Sequence, residues 1–407
     1  MIGMFFGSYI VGIISDKYGR MKALMLGLLL IASGLFAAFM PDANSYGFFR
    51  FLTGIGGIAT FMVTSVITME YVGAKYTMFV GIAIHIPFPL GELLLGIEAY
   101  YIRDWYTLHL VAYTPVLILL SLWFFIPESP RWLLATGKIE EAEKVIQKGA
   151  AINGRTLPED TFKVVEVKNE NKDTMDAFVN NQPTFRDLFK PTFILTRSLN
   201  MMYQWFSVTM CYYGLAFASV NLTADPYVNF TLSCLIEIPG YLFCIFVMDC
   251  WGRRPILSFC QLVSGIACIA AGLMNGVESL AVLQIILSLV GKFGAAANFG
   301  IVYVYTAELF PTVIRNTAIG ACSTVARVGG MMAIMIGLLA TYWTPAPMLI
   351  MGIVAVVAGT LALLLPETVG TKLPETMEDA INIGKNSNRG ICTCVCPQSL
   401  EEMLEEN

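Results

Sequence analysis

Runs of about twenty residues without an ionisable side chain recur along this 407-residue chain, and they constrain its fold more than any other feature. Ala23 to Met40, Phe51 to Met69, Ser198 to Val220 and Met348 to Leu365 contain no Asp, Glu, Lys or Arg. Each is near the length that crosses a hydrocarbon core as a helix. In lipid the backbone must satisfy its own hydrogen bonds, so only helices and closed barrels span. The chain is 56% hydrophobic and 14% charged, whereas a soluble domain carries about 25% charged residues. An all-α polytopic membrane protein is implied.

Apolar runs separated by turn residues or charge predict helices near 1–15, 22–40, 46–69, 77–101, 107–126, 192–219, 227–248, 255–275, 279–307, 315–341 and 346–365, eleven in all. With the Asp16 to Lys22 connection on the cytoplasmic side, all but four of the 25 Lys and Arg residues fall there, the exceptions being Arg50, Arg103, Lys292 and Arg327. That bias fixes the orientation. Seven cysteines lie in or beside apolar segments, as small packing residues do, and imply no disulfide framework. Cys392, Cys394 and Cys396 in the tail are palmitoylation candidates.

An internal repeat organises the chain. Asp16-Lys-Tyr-Gly-Arg20 returns as Asp249-Cys-Trp-Gly-Arg253, Glu70 as Glu308, and Pro127-Glu128 as Pro366-Glu367, at offsets of about 235 residues. Two similar halves running in parallel follow. The span at 192–219 has no counterpart in the first half, so the plan expected is twelve helices with the first missing, which would leave Gly3, Gly7 and Gly12 without a packing partner. The domains expected are a five-helix bundle over 1–126, a cytoplasmic linker over 127–191, a six-helix bundle over 192–366 and a cytoplasmic tail over 367–407. Within the linker, apolar residues at helical spacing between Arg131 and Ala150 predict an amphipathic helix, and Asn153 to Gln182 show no such pattern.

Charge inside the apolar runs is the functional signal. Glu92, Glu237, Lys292 and Arg327 lie at bilayer depth, where an ionisable group survives when it faces a cavity, a partner or a substrate. Glu237 sits mid-span beside Pro239 and Gly240, and a carboxylate there attracts cations, with Tyr203, Trp205, Phe206 and Tyr241 available for cation–π contacts. The planar guanidinium of Arg327 suits bidentate carboxylate binding. The two together would suit a zwitterion; alternatively they neutralise each other. Lys292 fits a coupling role or a structural pair with a carboxylate, and Glu92 a cation-attracting or proton-carrying role. Asp16, Arg20, Asp249, Arg253 and Arg254 cap helix ends on the cytoplasmic side, where pairs between the halves would form in one conformation and break in another; anchoring by positive charge is the simpler alternative. His85 and His109 read as packed or interfacial residues. Asn221 and Asn229 match glycosylation sequons but hug the membrane, so neither is expected to carry a glycan. No zinc pattern, phosphate-binding loop or nucleophile elbow occurs in a plausible context, and the glycines at Gly54, Gly56 and Gly57 read as helix-packing residues. No enzyme, cofactor or nucleic-acid partner is expected.

Gly12-Ile-Ile-Ser-Asp16-Lys-Tyr-Gly19-Arg20 and Arg50-x-x-x-Gly54-x-Gly56 resemble loop and helix motifs of the major facilitator superfamily. Pro127-Glu-Ser-Pro-Arg131-Trp-Leu-Leu134, Val290-Gly-Lys-Phe-Gly294, Tyr303-Val-Tyr-Thr-Ala-Glu308-Leu-Phe-Pro-Thr312 and Arg315-Asn316 resemble the organic cation and carnitine transporters, in a branch that also holds organic anion transporters. The resemblance implies a major facilitator fold of two parallel-repeat six-helix bundles, and alternating-access transport of small organic ions across the plasma membrane, with Na+ or H+ as a coupling ion. It implies a cation-recognition role for Glu237 and an anionic group on the substrate facing Arg327. It assigns Glu70, Glu128, Arg131, Glu308 and Arg315 to the cytoplasmic motifs. Glu92, Glu98 and Thr77 depart from the family pattern; Lys75 is placed to substitute for the charge missing at Thr77. A non-transporting, regulatory membrane protein is the alternative from another class.

Overall fold

The computed structural model describes residues 1–72, 77–154, 192–219, 226–275 and 277–369, with Pro374. Its sixteen α-helices, among the described residues, are α1 (Ile2–Tyr18), α2 (Arg20–Ala32), α3 (Gly34–Ala37), α4 (Ala43–Tyr71), α5 (Thr77–Ala83), α6 (Pro87–Tyr101), α7 (Trp105–Leu119), α8 (Pro130–Ala135), α9 (Ile139–Ile152), α10 (Thr192–Ser219), α11 (Pro226–Leu235), α12 (Glu237–Trp251), α13 (Arg253–Leu273), α14 (Ala281–Leu309), α15 (Thr312–Leu338) and α16 (Ala346–Ala362). The fold is all-α. Every apolar segment read from the sequence is helical, and eight helical spans are long and apolar enough to cross a membrane. The amphipathic linker segment forms α8 and α9, with Ala142 buried. Lys75, the linker from residue 155 to 191, Asn221 and the tail cysteines lie outside the described residues, as do the side chains of Thr77 and Arg315.

Several predicted helices are interrupted, and proline explains two of the breaks. Pro87 has no N–H for the carbonyl four residues back, and α5 ends there, at Ala83. Pro239 likewise leaves the carbonyl of Leu235 without its donor, and α11 ends at Leu235 before α12 starts at Glu237. His85 sits in the first break, and Glu237 is the first residue after the second.

Contacts divide the chain into two compact units, one of Met1–Val80 with Asp104–Pro183, the other of Gly81–Arg103 with Thr184–Asn407. In the first, α1 and α2 pack on α4. Gly3 lies against the backbone of Phe51, Gly7 against Ile55 and Ile58, and Gly56 against the carbonyl of Gly27. Without side chains the backbones approach closely, which is how helices associate in lipid. The expectation that Gly3 and Gly7 lack a packing partner is therefore corrected: both pack on α4, and of the three Gly12 alone faces open space. Ala23, Leu24, Leu28, Ala59 and Val63 form the core between these helices.

In the second unit α13 packs on α14 and α16, α10 on α14, α15 and α16, and α6 on α11. Polar side chains tie these helices together. Gln204 donates to the carbonyl of Ala358 at 2.8 Å, and Trp205 donates through Nε1 to Thr306 Oγ1 at 2.9 Å. Both are wholly buried, where an unmet polar group is costly.

Candidate functional site

The second unit holds an ion cluster at the break between α11 and α12. Glu237 is 0% exposed. Its Oε1 lies 2.8 Å from Lys292 Nζ, an ion pair without the alignment of a hydrogen bond, and its Oε2 accepts from the Tyr212 hydroxyl at 2.7 Å. Lys292 also stands 3.5 Å from the centroid of the Tyr212 ring and 3.4 Å from the Tyr212 carbonyl oxygen. One tyrosine thus hydrogen-bonds the acid and covers the base. The pair sits on the proline-loosened start of α12 and on α14, and Gly240 brings these helices together, 3.1 Å from a Cβ at that position to the Phe293 carbonyl. A small cavity beside Lys292 is lined by Asn229, Ser233, Ser288, Leu215 and Leu289.

Glu92 joins the cluster from α6. Its Oε2 lies 3.5 Å from the Cys234 thiol, and it is within electrostatic reach of Glu237 and Lys292. Among the described residues no ammonium or guanidinium pairs with it. Arg327, 4% exposed on α15, faces the hydroxyls of Tyr213 and Tyr303. No carboxylate among the described residues pairs with it, and its Nε has no hydrogen-bond partner.

Aromatic rings connect the two charged groups. Tyr212 is 5.4 Å from Phe299, Phe299 is 5.8 Å from Tyr303, and Tyr303 is 4.4 Å from Trp205. His85, from the α5–α6 break, packs at 5.4 to 6.0 Å against Tyr241, Phe299 and Tyr303. The structure therefore gathers Glu92, Glu237, Lys292, Trp205 and Tyr241 around one region, with Arg327 at its edge. Tyr203 and Phe206 are elsewhere: their rings stack at 6.3 Å, Tyr203 donates to Val354 on α16, and the Phe206 carbonyl abuts Gly329. Glu237 and Arg327 do not neutralise each other, because Lys292 is the partner of Glu237. Tyr212, Tyr213 and Phe299 were not singled out from sequence. A signal existed, since Phe299 and Tyr303 follow Lys292 by seven and eleven residues and so share its helix face.

At the helix ends the repeat has a physical form. Arg20 pairs with Asp16 and reaches Glu70 at 3.3 Å, while the Glu128 carboxylate accepts from the backbone N–H groups of Arg20 and Met21. Arg253 pairs with Asp249 at 3.2 Å and with Glu308 through Nε and Nη2 at 3.0 Å, while Glu367 accepts from the N–H groups of Arg253 and Arg254. Each glutamate thus meets the donor end of a helix, where unpaired N–H groups favour an anion. The glycines of the motif are explained too. Gly19 and Gly252 have φ of 111° and 99°, and a Cβ at either would strike the Glu128 or the Glu367 carboxylate. Both arginines find carboxylates within their own unit, where the sequence reading expected pairs across the halves. Arg131 donates to the Val72 carbonyl at 3.5 Å.

Outside these clusters, His109 Nε2 lies 2.8 Å from the Gly34 carbonyl oxygen and its ring 4.6 Å from Tyr113, a packed histidine. Asn229 is 3% exposed, and Glu98 is half-buried towards the end of α6.

Apolar helices broken at buried charges, with twin charge clusters at equivalent loops of two repeats, define a polytopic membrane transporter of the major facilitator fold. The chain belongs to the sugar (and other) transporter family, whose pattern matches residues 1–380. It is 37% identical over 388 residues to the organic cation transporter protein of Drosophila melanogaster, which covers 95% of this chain and 70% of that protein. It is 34% identical over 385 residues to solute carrier family 22 member 2 of Rattus norvegicus, covering 94% of this chain and 68% of that protein. Among solved structures it is similar to the inward-open form of the xylose transporter XylE from E. coli, with a TM-score of 0.71 at 20% identity over 92% of this chain and 86% of that one. At that identity the likeness is one of fold. Such transporters are not enzymes.

Proposed function

We propose that the protein carries small organic cations, or zwitterions of the carnitine type that bear a cationic group, across the plasma membrane by alternating access around the cluster of the second unit. The observation that carries this reading is a pair of carboxylates in apolar segments, Glu237 at a helix break and Glu92 on α6, beside Tyr212, Tyr241 and Phe299. Negative charge on an aromatic-lined surface is the chemistry that recognises a quaternary or protonated amine. The relatives named as organic cation transporters support the same class. Arg327, without a carboxylate partner, is suited to an anionic group on the same substrate. The twin loop clusters around Arg20 and Arg253 serve as helix-end latches during the conformational cycle, and a coupling ion, Na+ or H+, is compatible with the buried charges. A purely anionic substrate is the second reading, and only Arg327 favours it.

The test is uptake of tetraethylammonium and of carnitine by the full chain in proteoliposomes, alongside Glu237→Gln. The variant is expected to lose at least about tenfold of cation uptake while the amount of folded protein is unchanged, because Lys292 is left as an uncompensated repelling charge. Undiminished uptake by the variant would remove Glu237 from the pathway, and uptake of organic anions alone by the parent chain would establish the second reading.

A further inference from the structure

The charges around Glu237 do not balance. Two carboxylates, Glu92 and Glu237, face one ammonium, Lys292, and that ammonium is 2.8 Å from Glu237. Glu237 is also hydrogen-bonded by Tyr212, so its negative charge is already met. Among the described residues Glu92 has only the Cys234 thiol, a weak donor at 3.5 Å. Among the described residues, the ionisable groups that interact with Glu92 are Tyr212 and Tyr213 from α10, Cys234 from α11, Glu237 and Tyr241 from α12, and Lys292 from α14. None of them is a second base. Arg327 acts on Tyr213 and Tyr303 rather than on Glu92. Glu92 is half-buried on an apolar helix, and a carboxylate there with only a weak donor is neutralised by whatever positive species can reach it.

We infer that Glu92 is the unbalanced carboxylate of this site and that a proton and the cationic substrate occupy it alternately. The inference rests on the cation-transport reading above and deepens it, by making Glu92 the group that the substrate's ammonium neutralises and Glu237 the group that holds Lys292. The step is an ion exchange at one oxygen. The O–H bond of the neutral acid breaks, the proton leaves to water, and the organic cation takes its place beside the carboxylate; no electrons are transferred. The sign follows directly. Falling pH fills Glu92 with a proton and weakens cation binding, whereas a proton delivered from the opposite side of the membrane displaces bound cation and favours release.

Two measurements on the full chain in proteoliposomes decide this. The first is the KM for tetraethylammonium at about pH 8 and about pH 5.5, which is expected to rise about tenfold in the parent chain on acidification. In Glu92→Gln it should be high at both values and change less than about twofold, with Glu92→Asp restoring the dependence. The second is the infrared carbonyl stretch of a protonated carboxyl group in the purified protein at acid pH. That band should be absent from Glu92→Gln and should disappear from the parent chain on saturation with tetraethylammonium. A KM profile in Glu92→Gln identical to the parent's, or a band that survives the substitution or saturation with a transported cation, overturns the inference. Failure of the parent chain to bind or carry any organic cation would refute the transport reading instead, and the presence or loss of the band in Glu92→Gln would still decide whether Glu92 holds the proton.

Discussion

Arg327 and Glu237 were read from the sequence as two ends of one substrate site, and their surroundings differ in a way that separates their roles. Glu237 is saturated by Lys292 and Tyr212, whereas among the described residues Arg327 faces phenol hydroxyls and no carboxylate. A guanidinium without a carboxylate partner is a docking point for one, and its planar fork donates to two oxygens at once, which an ammonium cannot reproduce. Arg327→Lys is therefore expected to raise the KM for carnitine about tenfold while changing that for tetraethylammonium less than about threefold, a difference read by paired uptake assays. Equal losses for both substrates would make Arg327 a structural residue. The presence of four charges at bilayer depth was legible from the apolar runs around them. Their pairing was not, because Glu237 and Lys292 lie on different helices, and which residues meet depends on how each helix is rotated about its axis. Tyr203 and Phe206 fall outside the cluster for the same reason: three aromatic residues of α10, Tyr203, Trp205 and Phe206, were candidates, and the rotation of α10 turns Trp205 towards α14 and Tyr203 towards α16.

At the level of elements, the sequence placed the helices well because runs of apolar residues bounded by charge or glycine leave few alternatives. Breaks inside the runs were harder to see. Pro87 and Pro239 were visible, yet proline is tolerated within membrane helices when neighbours satisfy the freed carbonyl, and Pro115 lies inside α7 without ending it. What the two breaks share is a buried polar side chain at each, His85 and Glu237. The starts of α4 and α7 obey ordinary capping. Asp42 accepts from the Ser45 N–H at 3.0 Å, and Asp104 accepts from the Thr107 N–H at 2.9 Å and from its hydroxyl. The side-chain hydrogen bond of Thr107 is the largest influence holding the Asp104 carboxyl below its ordinary value, followed by the backbone N–H. A lowered folded value means that the cap stabilises α7 above the unfolded carboxylate range and that this contribution is lost as pH falls through the folded value. Asp104→Ala is thus expected to lower the melting temperature in detergent by about 1 °C near neutral pH, and the gap should close as pH falls through the lowered folded value of the Asp104 carboxyl. A gap that persists in acid would mean that Asp104 acts through something other than its charge.

Across the whole molecule, the repeat seen as returning short motifs becomes two copies of one device: an arginine bridging an aspartate four residues back and a glutamate on another helix, with a second glutamate closing the helix start. The copies differ in strength. Arg253 grips Glu308 with Nε and Nη2, and Glu308 also accepts from the Thr368 hydroxyl at 2.6 Å, whereas Arg20 reaches Glu70 through a single 3.3 Å contact. Arg253 is buried, at 7% exposure, so replacing the carboxylate it grips removes two charge-assisted hydrogen bonds inside the protein. Glu308→Gln is therefore expected to destabilise the second unit by about 2 kcal/mol, and Glu70→Gln to cost less than about 1 kcal/mol. Thermal unfolding of the two purified variants in the same detergent measures this directly. The asymmetry also predicts the transport phenotype. If the clusters act as latches, the weaker Arg20 cluster opens first, and Glu70→Gln should speed the conformational cycle with little loss of folded protein, whereas Glu308→Gln should lose protein and uptake together. Equal destabilisation by the two substitutions, or slowed turnover in Glu70→Gln, would show that the clusters merely anchor the helix ends.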